Sequence, residues 1–204
     1  ATVNSDNGNL KVDPRNNFNN NINFKRISLR SNINVNLTPT TEVALRFNGN
    51  FDDYIGPIDG GEAIYRKAMQ ANPVLYPKFY EPDTQFQNSS HVLFGNAGQF
   101  GDYLNPYADL MRGYKDESYN NFLATVEVRQ NLDFLTDGLT ARLLANTSRY
   151  SFYNIERRYN PFYYSLGNYD FQSDQYTLVA LNPDQGTEYL EYNEGTKIIT
   201  NSSY

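Results

Sequence analysis

Arginine and asparagine recur at positions of one parity in four stretches: Arg30, Asn32 and Asn34; Arg46 and Asn48; Arg129 and Asn131; Arg142 and Asn146. Side chains two apart on an extended chain share a face. Each group therefore forms a row of donors and acceptors that a passing polar solute could use. Two readings stand for these nine side chains. Either they line an aqueous lumen and touch solute, or they satisfy one another or a plug that fills it.

A second group is aromatic. Tyr150, Phe152, Tyr153, Tyr159, Phe162, Tyr163 and Tyr164 gather with Arg149, Arg157 and Arg158 in one short stretch. Tyr153, Tyr159, Phe162, Tyr163 and Tyr164 are candidates for contact with a ligand or partner, by stacking on sugar rings or peptide side chains. Packing within their own loop is the alternative.

Catalytic chemistry is poorly supplied, and the chain reads as a non-enzyme with no cofactor and no metal. The one histidine, His91, has no second histidine with which to build a zinc site, and there is no cysteine. Asp52-Asp53 with Asp59, or Asp170 with Asp174, could pair as acid and base or hold calcium, but their spacing matches no known ligand loop. Gly95, Gly98 and Gly101 follow no recognisable strand and open no helix, so they form no phosphate cradle. Basic residues are scattered through a chain of formal charge −6, which excludes nucleic acid as a partner.

The elements that would position the polar rows are β-hairpins. Ile27, Leu29, Ile33, Val35 and Leu37 alternate with Ser28, Arg30, Asn32, Asn34 and Asn36. After Thr38-Pro39-Thr40-Thr41, Val43, Leu45, Phe47 and Phe51 continue the apolar face, and Glu42, Arg46, Asn48 and Asn50 the polar one. Phe122, Ala124, Val126, Val128, Leu132 and Phe134 begin a second hairpin. It turns at Leu135-Thr136-Asp137-Gly138 and continues through Leu139, Ala141, Leu143 and Ala145. The spacing predicts strands over about 22–37, 42–54, 119–135 and 139–153. Apolar parity is odd on both arms of the first hairpin, which requires an odd loop; it changes from even to odd in the second, which requires an even one. A register pairing Leu37 with Val43 would set Ser31 opposite Gly49.

An apolar face of about ten residues backed by a polar one suits a strand between lipid and a water-filled interior. The predicted fold class is all-β, an antiparallel transmembrane β-barrel segment of about four long strands. No apolar run is long enough for a transmembrane helix. Four strands cannot close a barrel, since the smallest membrane barrels need about eight, so further strands must come from elsewhere. The opening residues carry no signal peptide, which suggests an internal piece of a longer chain. The connections sort by length. The turns are short, whereas Ala1–Asn21 reads as an exposed loop and 55–118 and 154–204 as long extracellular loops, the first of these two with a short helix over Glu62–Ala71.

Four segments resemble SusC/RagA-type TonB-dependent outer-membrane transporters of Bacteroidetes: Phe24 to Ile33, Asn72-Pro73-Val74-Leu75-Tyr76-Pro77, Asn105-Pro106-Tyr107-Ala108-Asp109-Leu110, and Leu132 to Leu139. The resemblance covers nearly the whole chain and falls in the order of early barrel strands. It implies one section of a 22-stranded barrel domain in the cell outer membrane, crossing it several times and surrounded by its lipid, with plug and remaining barrel outside this chain. It implies import of an oligosaccharide or oligopeptide, a SusD-like lipoprotein lid, and energy from TonB-ExbB-ExbD acting through the plug. Two alternatives share the hairpins: a passive porin or adhesin barrel, and a secreted β-rich glycan-binding module whose apolar faces pack on a second sheet.

Overall fold

The computed structural model describes residues 1–97, 105–193 and 195–204. Gly98 and Gly101 lie outside them. In chain order the elements are β1 (Thr2–Asn7), β2 (Asn23–Thr38), β3 (Thr41–Gly56), α1 (Gly60–Gln70), β4 (Phe94–Gly95), α2 (Pro106–Met111), β5 (Gly113–Asn131), β6 (Thr140–Arg158), β7 (Tyr163–Asp170), β8 (Gln175–Ala180) and β9 (Thr196–Ser203). The main sheet runs β1-β2-β3-β5-β6-β9 with every neighbouring pair antiparallel. It is an up-and-down meander with two edges, an open sheet and not a closed barrel.

The first hairpin keeps the expected parity by a route the alternation does not reveal. Val35 pairs with Val43, Ile33 with Leu45 and Ile27 with Phe51, so Ser31 faces Phe47 and Gly49 faces Leu29. This differs by two residues from the register that pairs Leu37 with Val43. Pro39 and Thr40 make a two-residue turn between Thr38 and Thr41, and Leu37 is the extra residue of a bulge. Bulge and turn together supply the odd spacing that the apolar pattern demands.

In the second hairpin Val128 pairs with Leu143 and Val126 with Ala145 across an even loop of eight residues, 132–139. The ladder ends at Asn131, earlier than expected, because Asn131 and Asp133 turn their side chains on the backbone. Asn131 Oδ1 accepts from Asp133 N at 2.8 Å, and Asp133 Oδ1 accepts from Gly138 N at 2.8 Å, with Gly138 at φ +77°. Such Asx contacts offer the chain a turn in place of a strand. Leu132 and Phe134 therefore sit in the turn.

Besides β4, β7 and β8, three stretches expected as loop are strands of the main sheet. β1, the extension of β5 back to Gly113, and β9 are mostly polar or charged, with sequences TVNSDN, GYKDES and TKIITNSS. Their pairing with β2, β3, β6 and each other's neighbours rests on backbone hydrogen bonds, which carry no hydrophobic period. β6 likewise continues to Arg158.

Cross-strand partners share a face, so the register assembles one apolar surface from four strands. Its central row is Ile33, Leu45, Val126 and Ala145, with Val35, Val43, Val128 and Leu143 beneath. Nothing among the described residues covers it: Leu45 is 41% and Val126 40% exposed. The surface is also inclined. Above the central row it reaches six residues on β2 and β3 (Ile27, Phe51), four on β5 (Phe122) and none on β6, where Thr147 and Arg149 follow Ala145. Below it the limit lies two residues down on β2, β3 and β5 (Val35, Val43 and Val128) and four down on β6 (Ala141).

The buried core lies beyond the sheet, where three connections fold together at the end opposite the turns. β4, β7 and β8 form a small sheet with a cluster on each face. Val92, Phe94, Ala108, Met111 and Tyr163 pack on one side, and Leu93, Tyr164 and Leu178 on the other. Asn105 caps α2, accepting from Tyr107 N and Ala108 N at 2.9 and 3.1 Å, while its amide donates to the carbonyls of Gly95 and Pro77 at 2.9 and 3.0 Å. Pro106 follows at the first helical position, where its missing N–H costs nothing. The connection 8–22 joins this lobe too: Tyr107 donates its hydroxyl to Asp13, Asn20 donates to Leu110 O, and Asn17 Nδ2 donates to Leu190 O at 2.8 Å.

Candidate functional site

The polar face of the sheet gathers three of the nine predicted side chains around Glu127, which alternation places in the same polar row but which is not among the nine. Glu127 sits one parity step from Arg129 on β5, with Ala44 and Leu144 as its cross-strand partners. It is 2% exposed. Arg46 Nη1 donates to its Oε2 at 3.0 Å, Arg129 Nε to Oε1 at 2.6 Å, and Arg142 reaches both oxygens at 2.8 and 3.1 Å. A buried carboxylate needs such compensation. The arginines do not share its burial, since each keeps about half of its side chain in the open and most of its five donors unspent. The shared parity of Glu127 and Arg129 was the available signal; the register that brings Arg46 and Arg142 alongside was not readable.

The other predicted side chains take separate places. Arg30 pairs in register with Asn48, Asn32 with Arg46, Asn34 with Ala44 and Asn146 with Thr125, so all four stand on the same polar face. Asn131 belongs to the turn, its amide 2.6 Å from Asp133 Oδ2. Leu123 and Leu144 stand on the polar face as well, 43% and 48% exposed. Higher up, Arg26 makes a two-point pair with Asp52 at 2.6 and 2.7 Å. Near the turns a hollow of about 480 Å³ is bordered by Asn36, Glu42, Arg129 and Arg142.

The loop aromatics divide. Tyr163 and Tyr164 are 3% and 2% exposed, one in each half of the lobe core, so packing is what the structure assigns them. Burial, with Glu188 adding, pushes the Tyr164 phenol up to about 12. Tyr159 is half-buried with its N–H on Arg112 O at 2.9 Å, and burial, aided by Asp13, pushes its phenol up to about 12. Phe162 lies with its ring centroid 4.8 Å from that of His91. Only Tyr153, on the apolar-parity side of β6, is exposed.

The carboxylates considered for catalysis are engaged elsewhere. Asp52 and Asp53 point to opposite faces of β3, the first to Arg26 and the second accepting from Ser118 Oγ at 2.8 Å. Asp59 accepts from Lys67 at 3.0 Å and Arg112 at 2.8 Å, and the same two cations meet Asp109. Burial would raise the Asp59 carboxyl, but this ring of alternating charge holds it below the usual range. Its engagement leaves α1 without a side-chain cap. Asp170 binds Ser173 Oγ at 2.7 Å and Asp174 accepts from Tyr169, both in the β7–β8 turn.

His91 Nε2 lies 2.7 Å from the Tyr164 hydroxyl, with Ser89 Oγ 3.0 Å and Glu188 3.6 Å from Nδ1. A serine–histidine–acid relay needs serine and acid on opposite nitrogens. Here Ser89 Oγ approaches Nδ1 on the side of Glu188 and is 3.3 Å from Nε2, where the Tyr164 hydroxyl lies nearer, and burial, against Glu188, lowers the imidazole pKa. Among the described residues no three His, Cys, Asp or Glu side chains meet to hold a metal ion. No family model, curated protein or solved structure matches the chain.

Proposed function

We propose that this chain forms part of the wall and outer lobe of an outer-membrane β-barrel transporter of the SusC/RagA type. In this reading it imports an oligosaccharide or oligopeptide through a plugged 22-stranded barrel, energised by TonB-ExbB-ExbD, under a SusD-like lid. The inclined, uncovered apolar surface carries the reading. Its limits slide by about four residues on average from β2 to β6, about 13 Å along the strands for about 14 Å across them, an inclination of about 43°. Strands of membrane barrels tilt by about 35–45°, so a level lipid band would cut the sheet along just such a slope.

One further observation supports it. The connections are short at one end and gathered into a folded lobe at the other, as in outer-membrane barrels.

The absence of cysteine allows a direct test in cells carrying the full polypeptide. Single cysteines replace Phe171 in the lobe or Asp137 in a turn, and intact cells receive a membrane-impermeant maleimide. The expected result is labelling of Phe171→Cys alone, with oligomer uptake lost when TonB is removed. Equal labelling of both, or release of the protein without detergent, would refute the proposal.

A further inference from the structure

We infer that the polar face carries an anion site, built by Arg46, Arg129 and Arg142 and held in shape by Glu127, that takes a carboxylate-bearing solute. The lower half of this face, from Arg30 and Glu42 to Arg142, holds four arginines and two glutamates, a formal +2 in a chain of net −6. Glu42 is the register partner of Arg129, and Arg30 stands beside Asn48; no other charged side chain faces the cluster from these strands.

Glu127 acts as a positioning residue. Its two oxygens have about four lone-pair sites, and four guanidinium contacts at 2.6–3.1 Å fill them. It therefore fixes three planar forks around one point without neutralising them. Guanidinium forks match carboxylates in two-point geometry. The remaining donors are half exposed, and Arg129 and Arg142 border the 480 Å³ hollow, which is room for a small polyanion or one acidic residue of a larger solute. This assignment deepens the transport reading by giving the solute a charge, and rests on it only for where the anion is met.

Citrate serves as the probe, with neutral glycerol as control, on the full polypeptide in whatever medium extracts it. Wild-type protein is first treated with phenylglyoxal and mapped by mass spectrometry. Citrate should slow modification of Arg46, Arg129 and Arg142 several-fold while leaving Arg66, exposed on α1, unchanged. Calorimetric titration should then find citrate binding weakened about tenfold or more in Arg129→Gln and in Arg142→Gln, and unchanged in Lys25→Gln on the opposite face. Equal modification of all four arginines with and without citrate would overturn the site, and this readout needs no variant to fold. Retained citrate affinity in both folded glutamine variants would do the same. Citrate protection in a protein released without detergent would leave the anion site standing and remove the membrane reading instead.

Discussion

A single arginine placed on the apolar surface measures what that surface touches. Leu45 and Val126 are register partners in its central row, each about two-fifths exposed. If the surface meets water, adding a charge there changes stability by no more than about 0.5 kcal/mol. If it meets the middle of a bilayer, Leu45→Arg or Val126→Arg costs about 2–4 kcal/mol, a shift of about 30- to 1000-fold in the folding equilibrium. The inclination sharpens the test. Ala124 and Thr147 occupy one register row, yet Ala124 has apolar residues above and below it on β5, whereas Thr147 lies past the apolar limit of β6. Ala124→Arg should therefore cost about 1–3 kcal/mol more than Thr147→Arg, whose interfacial position carries about 0–1 kcal/mol. The assay is urea-dependent folding of the full polypeptide into phosphatidylcholine vesicles, read from the mobility of unboiled samples on gels. A cost below about 0.5 kcal/mol at Leu45 would show that no lipid lies there. Equal costs at Ala124 and Thr147 would level the band and remove the tilt argument.

Two glycines should behave oppositely to their backbone angles. A Cβ on Gly113 would collide with the carbonyl oxygen of Arg157, so Gly113→Ala must part β5 from β6 at the lobe, whereas Gly138, at φ +77°, has open space around it. Gly138→Ala should cost about 1 kcal/mol and Gly113→Ala more, with faster amide exchange at Lys115 and Arg157 only in the latter. At alkaline pH the lobe should loosen through its phenols. Burial, with the Asp13 hydrogen bond adding, pushes Tyr107 up to about 12, as burial does for Tyr159 and Tyr164. The unfolded chain ionises near its ordinary value of about 10, so the contribution of these groups is complete below that pH and is lost as pH rises towards 12. Absorbance at 295 nm should find at least three tyrosines that titrate only above about pH 11 and together with lobe unfolding; ionisation of all tyrosines before unfolding would contradict the burial.

The long strands were legible because each has one face with one chemistry. Ile27 to Val35 and Val43 to Phe51 alternate with only Ser31 and Gly49 interrupting the apolar face and Ala44 the polar one, so parity fixed both the face and the oddness of the loop. Register was less legible, since a bulge at Leu37 and a longer turn satisfy the same parity. The lobe hid for a different reason. The start of β7 is buried on both faces of a small sheet, so the consecutive Tyr163 and Tyr164 both enter the core, as do Leu93 and Phe94. Such strands have no alternation to read, and their aromatics look like a surface. Of the polar row, the face was readable from parity, but the convergence on Glu127 depends on three strands meeting in one register. β1 and β9 are held mainly by backbone pairing, to which hydropathy is blind, with only isolated apolar partners such as Val3 with Ile27 and Ile198 with Ile155.

Because three separate connections share a single core, they cannot diversify independently. A change at Asp13, Phe94 or Tyr164 is felt by a partner in another connection, Tyr107, Tyr163 and Phe86 in turn, so drift in any of them must be matched elsewhere or be discarded by selection. Freedom to vary is left to positions that touch none of the shared interior, such as Phe171 and Tyr192, each 89% exposed. Adaptation of the outer surface to a new solute or a new companion protein should therefore proceed by exchanging side chains at these tips, with the framework that carries them left intact.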